Sequence, residues 1–173
     1  GDTFSSELEL KKWLETHECV ICGSDQIWNN NITGNGGAYF AVDCNVKKIS
    51  YAASLGTTQL NETQKSNIIN YLPSFSSISV REPGSAEQLT KILHREIQVV
   101  LDPVFLLDRD EWRKLSRPVS VDSNYLFLYF LQENEKLLEC AKKYAEENGL
   151  KIYEVHPTLA TRHNGCKRLE NVG

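Results

Sequence analysis

No apolar run in this sequence approaches the roughly 20 residues that a membrane-spanning helix requires; "YLFLYFL" (125–131) is among the longest. A basic excess is also missing. Lys and Arg number 19 against 23 Asp and Glu, giving a net charge of −4 and a pI of about 5.6. The electrostatic footprint of a nucleic-acid binder is therefore absent. No basic stretch followed by an apolar one opens the chain, so no secretory signal is expected. The five cysteines are an odd number, which argues for reduced thiols and a cytoplasmic location over a disulfide framework. Repeats and low-complexity tracts are lacking. Gly34, Gly36 and Gly37 do not form a dinucleotide fingerprint, because no helix-opening pattern follows them.

Chemistry that depends on paired ligands is equally sparse. Cys19 and Cys22 are three residues apart in an expected strand, so their side chains point to opposite faces. No second Cys pair with His spacing completes a zinc site; core packing is the expected role, and no metal requirement is predicted. The histidines, His17, His94, His156 and His163, form no recognisable nucleophile–base pair with a Ser or Cys.

What is present is a globular composition, 40% hydrophobic and 24% charged, and an alternation of strand and helix patterns. Ser5 or Ser6 caps a helix carrying Leu8, Leu10, Trp13 and Leu14; a strand follows over 18–22 and a loop over 29–37. A second strand is expected at 47–54, then a helix capped by Thr58 or Asn61 through about Tyr71. Residues 75–80 form a third strand, with a helix from Pro83 to about His94. A fourth strand lies within 97–107, and Asp108 or Asp110 starts a short helix. Residues 117–124 have linker composition. Beyond them come a strand in 125–131, a helix over about 133–148 ended by Gly149, a strand in 150–156 and a polar tail over 160–173. The alternation predicts an α/β fold, a parallel sheet flanked by helices, in residues 1–120, with the start of a second α/β unit in 121–173.

In open parallel sheets, ligands bind beyond the carboxyl ends of the strands. Four expected strand ends carry polar clusters: Gly23-Ser24-Asp25-Gln26, Ser54-Leu55-Gly56, Arg81-Glu82 and Asp102-Pro103. Each also has a plain structural reading. Gly23 supplies a turn and Asp25 an Asx-type hydrogen bond; Trp28 is most simply a packing aromatic; Asp102 bonds nearby amides. Arg81 is the sharpest case. It precedes a helix starting at Pro83, with Ser85 in the first turn, so its guanidinium beside helix N–H groups would cradle a phosphate or carboxylate. The competing reading is an ion pair with Glu82 or another carboxylate.

The strings "GSDQIWN", "ISYAASLG", "SVREPGSAEQL" and "VVLDPVFLL", in this order, resemble the polysaccharide pyruvyl transferase family. The resemblance implies a two-domain protein of the glycosyltransferase-B type, with a Rossmann-like domain in 1–120 and the start of a second Rossmann-like half in 121–173. It implies transfer of pyruvate from phosphoenolpyruvate to a sugar of a cell-surface glycan, as a ketal, with release of phosphate. The acceptor would be a saccharide or lipid-linked oligosaccharide; no cofactor is implied, and peripheral membrane association is compatible with it. Carried onto this chain, Arg81 would clamp the donor anion and Asp25 would act as base. Gly23, Ser24, Gln26, Trp28, Asn29, Ser54, Gly56, Glu82, Ser85 and Asp102 would line the substrate site. A first strand and the histidine expected as general acid match nothing here, so this segment alone is expected to be inactive. A nucleotide-sugar glycosyltransferase and a non-catalytic glycan-binding protein are the alternatives.

Overall fold

A computed structural model describes residues 3–34, 36–41, 44–122, 124–156 and 163–169. It divides into two compact units, Gly1–Leu115 and Ser116–Gly173, a division slightly before the expected 120/121. Of the expected loop, linker and tail, Asn35, Ser123, 160–162 and 170–173 lie outside the described residues.

In the first unit, helix α1 (Glu7–Leu14) is capped by Ser6, whose side chain accepts from the Glu9 amide. Strand β1 (Cys19–Cys22) pairs in parallel with β2 (Lys47–Ser50), Cys22 opposite Ser50. Between them lie a short helix α2 (Asn30–Thr33) and a 3₁₀ turn, Ala38–Phe40. The loop expected at 29–37 is thus partly helical, because Asn29 is an N-cap whose side chain accepts from the Asn31 amide. Helix α3 (Glu62–Tyr71) opens with a reciprocal capping box between Asn61 and Gln64. Strand β3 (Ser79–Val80) pairs in parallel with β4 (Gln98–Val99), and helix α4 (Pro83–Leu93) connects them. Parallel bridges Ile49–Ser77 and Ala53–Val80 join the two pairs into the run β1-β2-β3-β4.

These strands are shorter than their sequence patterns suggest, and each has a cause. Strand β2 stops at Ser50, four residues before the expected end, because Ala52 turns the chain at φ = +53°. Two buried serines sew the gap. Ser79 Oγ donates to the Ser50 carbonyl at 2.9 Å and accepts from the Ala52 amide at 3.3 Å, while Ser50 Oγ donates to the Ser79 carbonyl at 3.1 Å. Strand β4 lies within the expected stretch 97–107 and ends before Asp102, which caps a 3₁₀ turn, Pro103–Leu106. Helix α5 (Arg109–Leu115) follows, with Asp108 accepting from the Asp110 and Glu111 amides.

The core of this unit is built around Trp28, Phe40, Ile68, Leu72, Phe75, Val80 and Leu89. Trp28 is 1% exposed, stacked on Phe40 at 5.7 Å and edge-on to Phe75. Cys19 is exposed and Cys22 buried, as the strand period requires. Burial, above all, pushes the Cys22 thiol up to about 11, which is the character of an inert core cysteine.

The second unit holds β5 (Tyr125–Tyr129), α6 (Glu135–Glu147), β6 (Lys151–Val155) and β7 (Cys166–Arg168) in a parallel sheet of order β5-β6-β7. Strand β7 falls within the stretch expected to be a polar tail. Its Cys-Lys-Arg composition carries no alternation, and pairing with β6 forms it. The helix ends at Asn148, and Gly149 takes the left-handed position at φ = +64°. Leu128, Phe130, Ala141, Ala145 and Ile152 make this unit's own core. Among the described residues, no helix is long and apolar enough to cross a membrane.

Candidate functional site

The polar segments that follow β1, β2, β3 and β4 meet at the carboxyl edge of the first unit. The chain leaves β1 through Gly23 at φ = +134°, where any Cβ would collide with the Tyr51 carbonyl. The next turn is tied to the end of the β2 segment: the Ser54 amide donates to the Asp25 carbonyl at 3.1 Å and the Trp28 amide to the Ser54 carbonyl at 3.3 Å. Ser54 Oγ in turn accepts from the Gly56 amide. Gly56 sits at φ = +67°, directly against the side chains of Gln26 and Asn29, which bond each other at 2.8 Å. A side chain at position 56 would displace that pair.

Arg81 holds the centre. Its Nε donates to Glu82 Oε1 at 2.9 Å, Nη1 to Asp102 Oδ2 at 3.2 Å and Nη2 to Asp25 Oδ1 at 3.4 Å. Three of the four strand-end clusters are thereby joined through one guanidinium. The hydrogen bond to Glu82 raises the Arg81 pKa most; partial burial opposes it, and the charge of Glu82, the hydrogen bond to Asp102 and the charge of Asp25 add to it. Carboxylates therefore engage the Arg81 guanidinium on all three nitrogens, which is the ion-pair arrangement. Asp25 is the most loosely held partner, with its side chain 86% exposed against 27% for Arg81.

Beside this cluster lies a cleft of about 530 Å³ lined by Gln26, Ser54, Gly56, Thr57, Thr58, Glu82, Gly84 and Ser85. Helix α4 begins here, with Pro83 in its first turn and no capping bond from the Glu82 side chain. The first amides of a helix have no intrahelical acceptor, and Gly84 and Ser85, in the first turn of α4, line the cleft. Glu82 Oε2 instead accepts from Ser85 Oγ at 3.3 Å. The lining is hydroxyl and amide groups with one carboxylate, a surface suited to exchanging hydrogen bonds with a polyol.

The structure brings together Gln26, Ser54, Gly56, Glu82 and Ser85 in the cleft and Asp25, Arg81 and Asp102 in the adjoining cluster. Gly23 and Ser24 form the turn behind it. Trp28 was expected to line the acceptor side and is instead buried in the core, its indole Nε1 donating to the Tyr39 carbonyl at 3.3 Å. Asn29 is also buried and acts as the α2 cap. Thr57, Thr58 and Gly84 were not anticipated. Thr58 carried a signal, since it follows the Ser54–Gly56 cluster, but it was read only as a helix cap.

A parallel α/β unit whose strand ends converge on a polar cleft has the layout of an α/β ligand-binding domain. The chain belongs to the polysaccharide pyruvyl transferase family, whose model matches residues 3–170. No curated protein and no solved structure matches it. Membership implies a transferase with a saccharide acceptor.

Proposed function

We propose that this protein transfers pyruvate from phosphoenolpyruvate to a sugar hydroxyl pair of a cell-surface glycan, forming a ketal and releasing phosphate. The observation that carries the proposal is the joining of a hydroxyl- and amide-lined cleft to a partly exposed Arg81 at the start of α4. In this reading the two units are the Rossmann-like halves of a glycosyltransferase-B type protein. The acceptor's hydroxyls pair with Gln26, Ser54, Thr57, Thr58 and Ser85. The donor's anionic groups take the guanidinium of Arg81 and the first amides of α4. Asp25, the most exposed of the three carboxylates, yields first. Released from Arg81, it is placed as a general base toward the attacking hydroxyl. Glu82 and Asp102 keep the guanidinium aligned, and Gly23, Ser24 and Gly56 shape the turns that let the loops approach.

Binding tests this directly. Ligand at 100 times its dissociation constant stabilises a native protein by about 2.7 kcal/mol. Millimolar phosphoenolpyruvate should raise the thermal midpoint, and Arg81→Gln should abolish the rise. A rise given by a nucleoside diphosphate sugar and not by phosphoenolpyruvate would replace the donor. A rise with saccharides alone would reduce the site to glycan binding.

A further inference from the structure

A second polar cluster lies beyond the carboxyl ends of β5 and β6, in the second unit. Glu154 and His156 are two apart on β6 and its exit, so their side chains share a face; His163 returns to them from the β6–β7 connection. Glu154 is a carboxylate with no solvent exposure. Its Oε2 lies 2.7 Å from His163 Nδ1 and 3.5 Å from His156 Nε2, and the three candidate ligand atoms fall within 4.8 Å of one another. Phe130 stacks on His156 at 4.8 Å and leans on His163 at 5.1 Å, which holds both rings.

We propose that Glu154, His156 and His163 bind a divalent first-row transition metal ion, zinc being the best match, through one carboxylate oxygen and one nitrogen from each ring. Two ligands about 2.1 Å from a tetrahedral ion lie about 3.4 Å apart. The Glu154–His156 edge, 3.5 Å, already has that length, and the other two edges need shifts within reach of side-chain rotation. A further observation points to a cation. His163 Nε2 lies 3.0 Å from Glu133 Oε2, the carboxylate–histidine pairing that orients a metal-ligating ring.

The other groups that face the cluster are consistent with this. Arg168 donates to the His156 carbonyl at 3.2 Å. Cys166 borders Glu154 but is not one of the three residues whose ligand atoms lie within 4.8 Å of one another. Without metal, His163 bridges the two carboxylates as an imidazolium, its Nε2–H held by Glu133 and its Nδ1 side by Glu154 through the Nδ1 proton. The ion displaces that proton to solvent, and its two charges balance the two carboxylates. His163 and Glu133 are the exposed side of the cluster, at 11% and 47%, and give the ion its entry.

The test is calorimetric titration of chelator-treated protein with zinc alone, and with cobalt alone followed by its visible spectrum. One ion should bind per chain, and the cobalt bands should lack a thiolate charge-transfer feature. Glu133→Gln, at an exposed position, should weaken binding about 10- to 100-fold. His163→Ala, with its fold checked by circular dichroism, should lose the site. Because one proton is displaced, affinity should fall about tenfold per pH unit below the His163 pKa. Absence of saturable binding, a thiolate band, or binding that survives His163→Ala in a folded protein would overturn the assignment.

Discussion

Two single residues illustrate how much local chemistry rests on one position. Gly56 combines a left-handed backbone with contact against Gln26 and Asn29. Gly149 has nearly the same φ but open space around it. An L-residue in the left-handed region costs about 1–2 kcal/mol. Gly149→Ala should therefore lose only that much in urea denaturation, while Gly56→Ala should lose more and should also weaken ligand binding in the cleft. The Glu154–His163 pair makes a pH prediction in metal-free protein. The His163 pKa is raised above its ordinary 6.5 by the Glu154 hydrogen bond first, with burial opposing and Glu133 adding. Its contribution is complete below about 6.5 and is lost as pH rises through the raised value. For Glu154, burial works against ionisation, but the bonds from His163 and His156 prevail and lower its pKa from the ordinary 4.5. That contribution is complete above about 4.5 and is lost as pH falls through the lowered value. The thermal midpoint should decline on both sides of this window, and His163→Gln should remove the alkaline decline.

At the level of elements, the serine stitch between β2 and β3 stands in for missing ladder bonds. Ser79→Ala would leave the buried Ala52 amide without its acceptor and remove the bond to the Ser50 carbonyl. A loss of about 1–3 kcal/mol is expected by chemical denaturation. The same region explains why the pattern of 47–54 read as one strand. Its alternation of Ile49, Tyr51 and Ala53 with small residues is continuous, and nothing in an Ala at position 52 announces φ = +53°. Strand β7 was invisible for the opposite reason: it has neither apolar alternation nor turn signals, and only its neighbour β6 defines it. Helix starts were the most legible features, because Ser6, Asn61 and Pro83 carry their local chemistry with them.

For the whole molecule, the convergence of four strand ends was readable because a parallel sheet puts every carboxyl end on one edge. The partition of residues there was not. Trp28 and Gln26 are two apart in the same polar string, yet one fills the core and the other lines the cleft, a difference set by Phe40 and Phe75 from distant segments. Trp28→Ala should cost about 3–5 kcal/mol, seen as faster amide hydrogen exchange across β1 to β4 together. The arrangement around Arg81 has another consequence. Its partners lie 56 residues earlier and 21 residues later in the chain. The guanidinium cluster is therefore no transplantable peptide motif, and no excised piece shorter than 25–102 can contain it. A cut anywhere in that interval parts Arg81 from Asp25 or Asp102, and association of the two halves when they are mixed would report that the sheet had reassembled across the break.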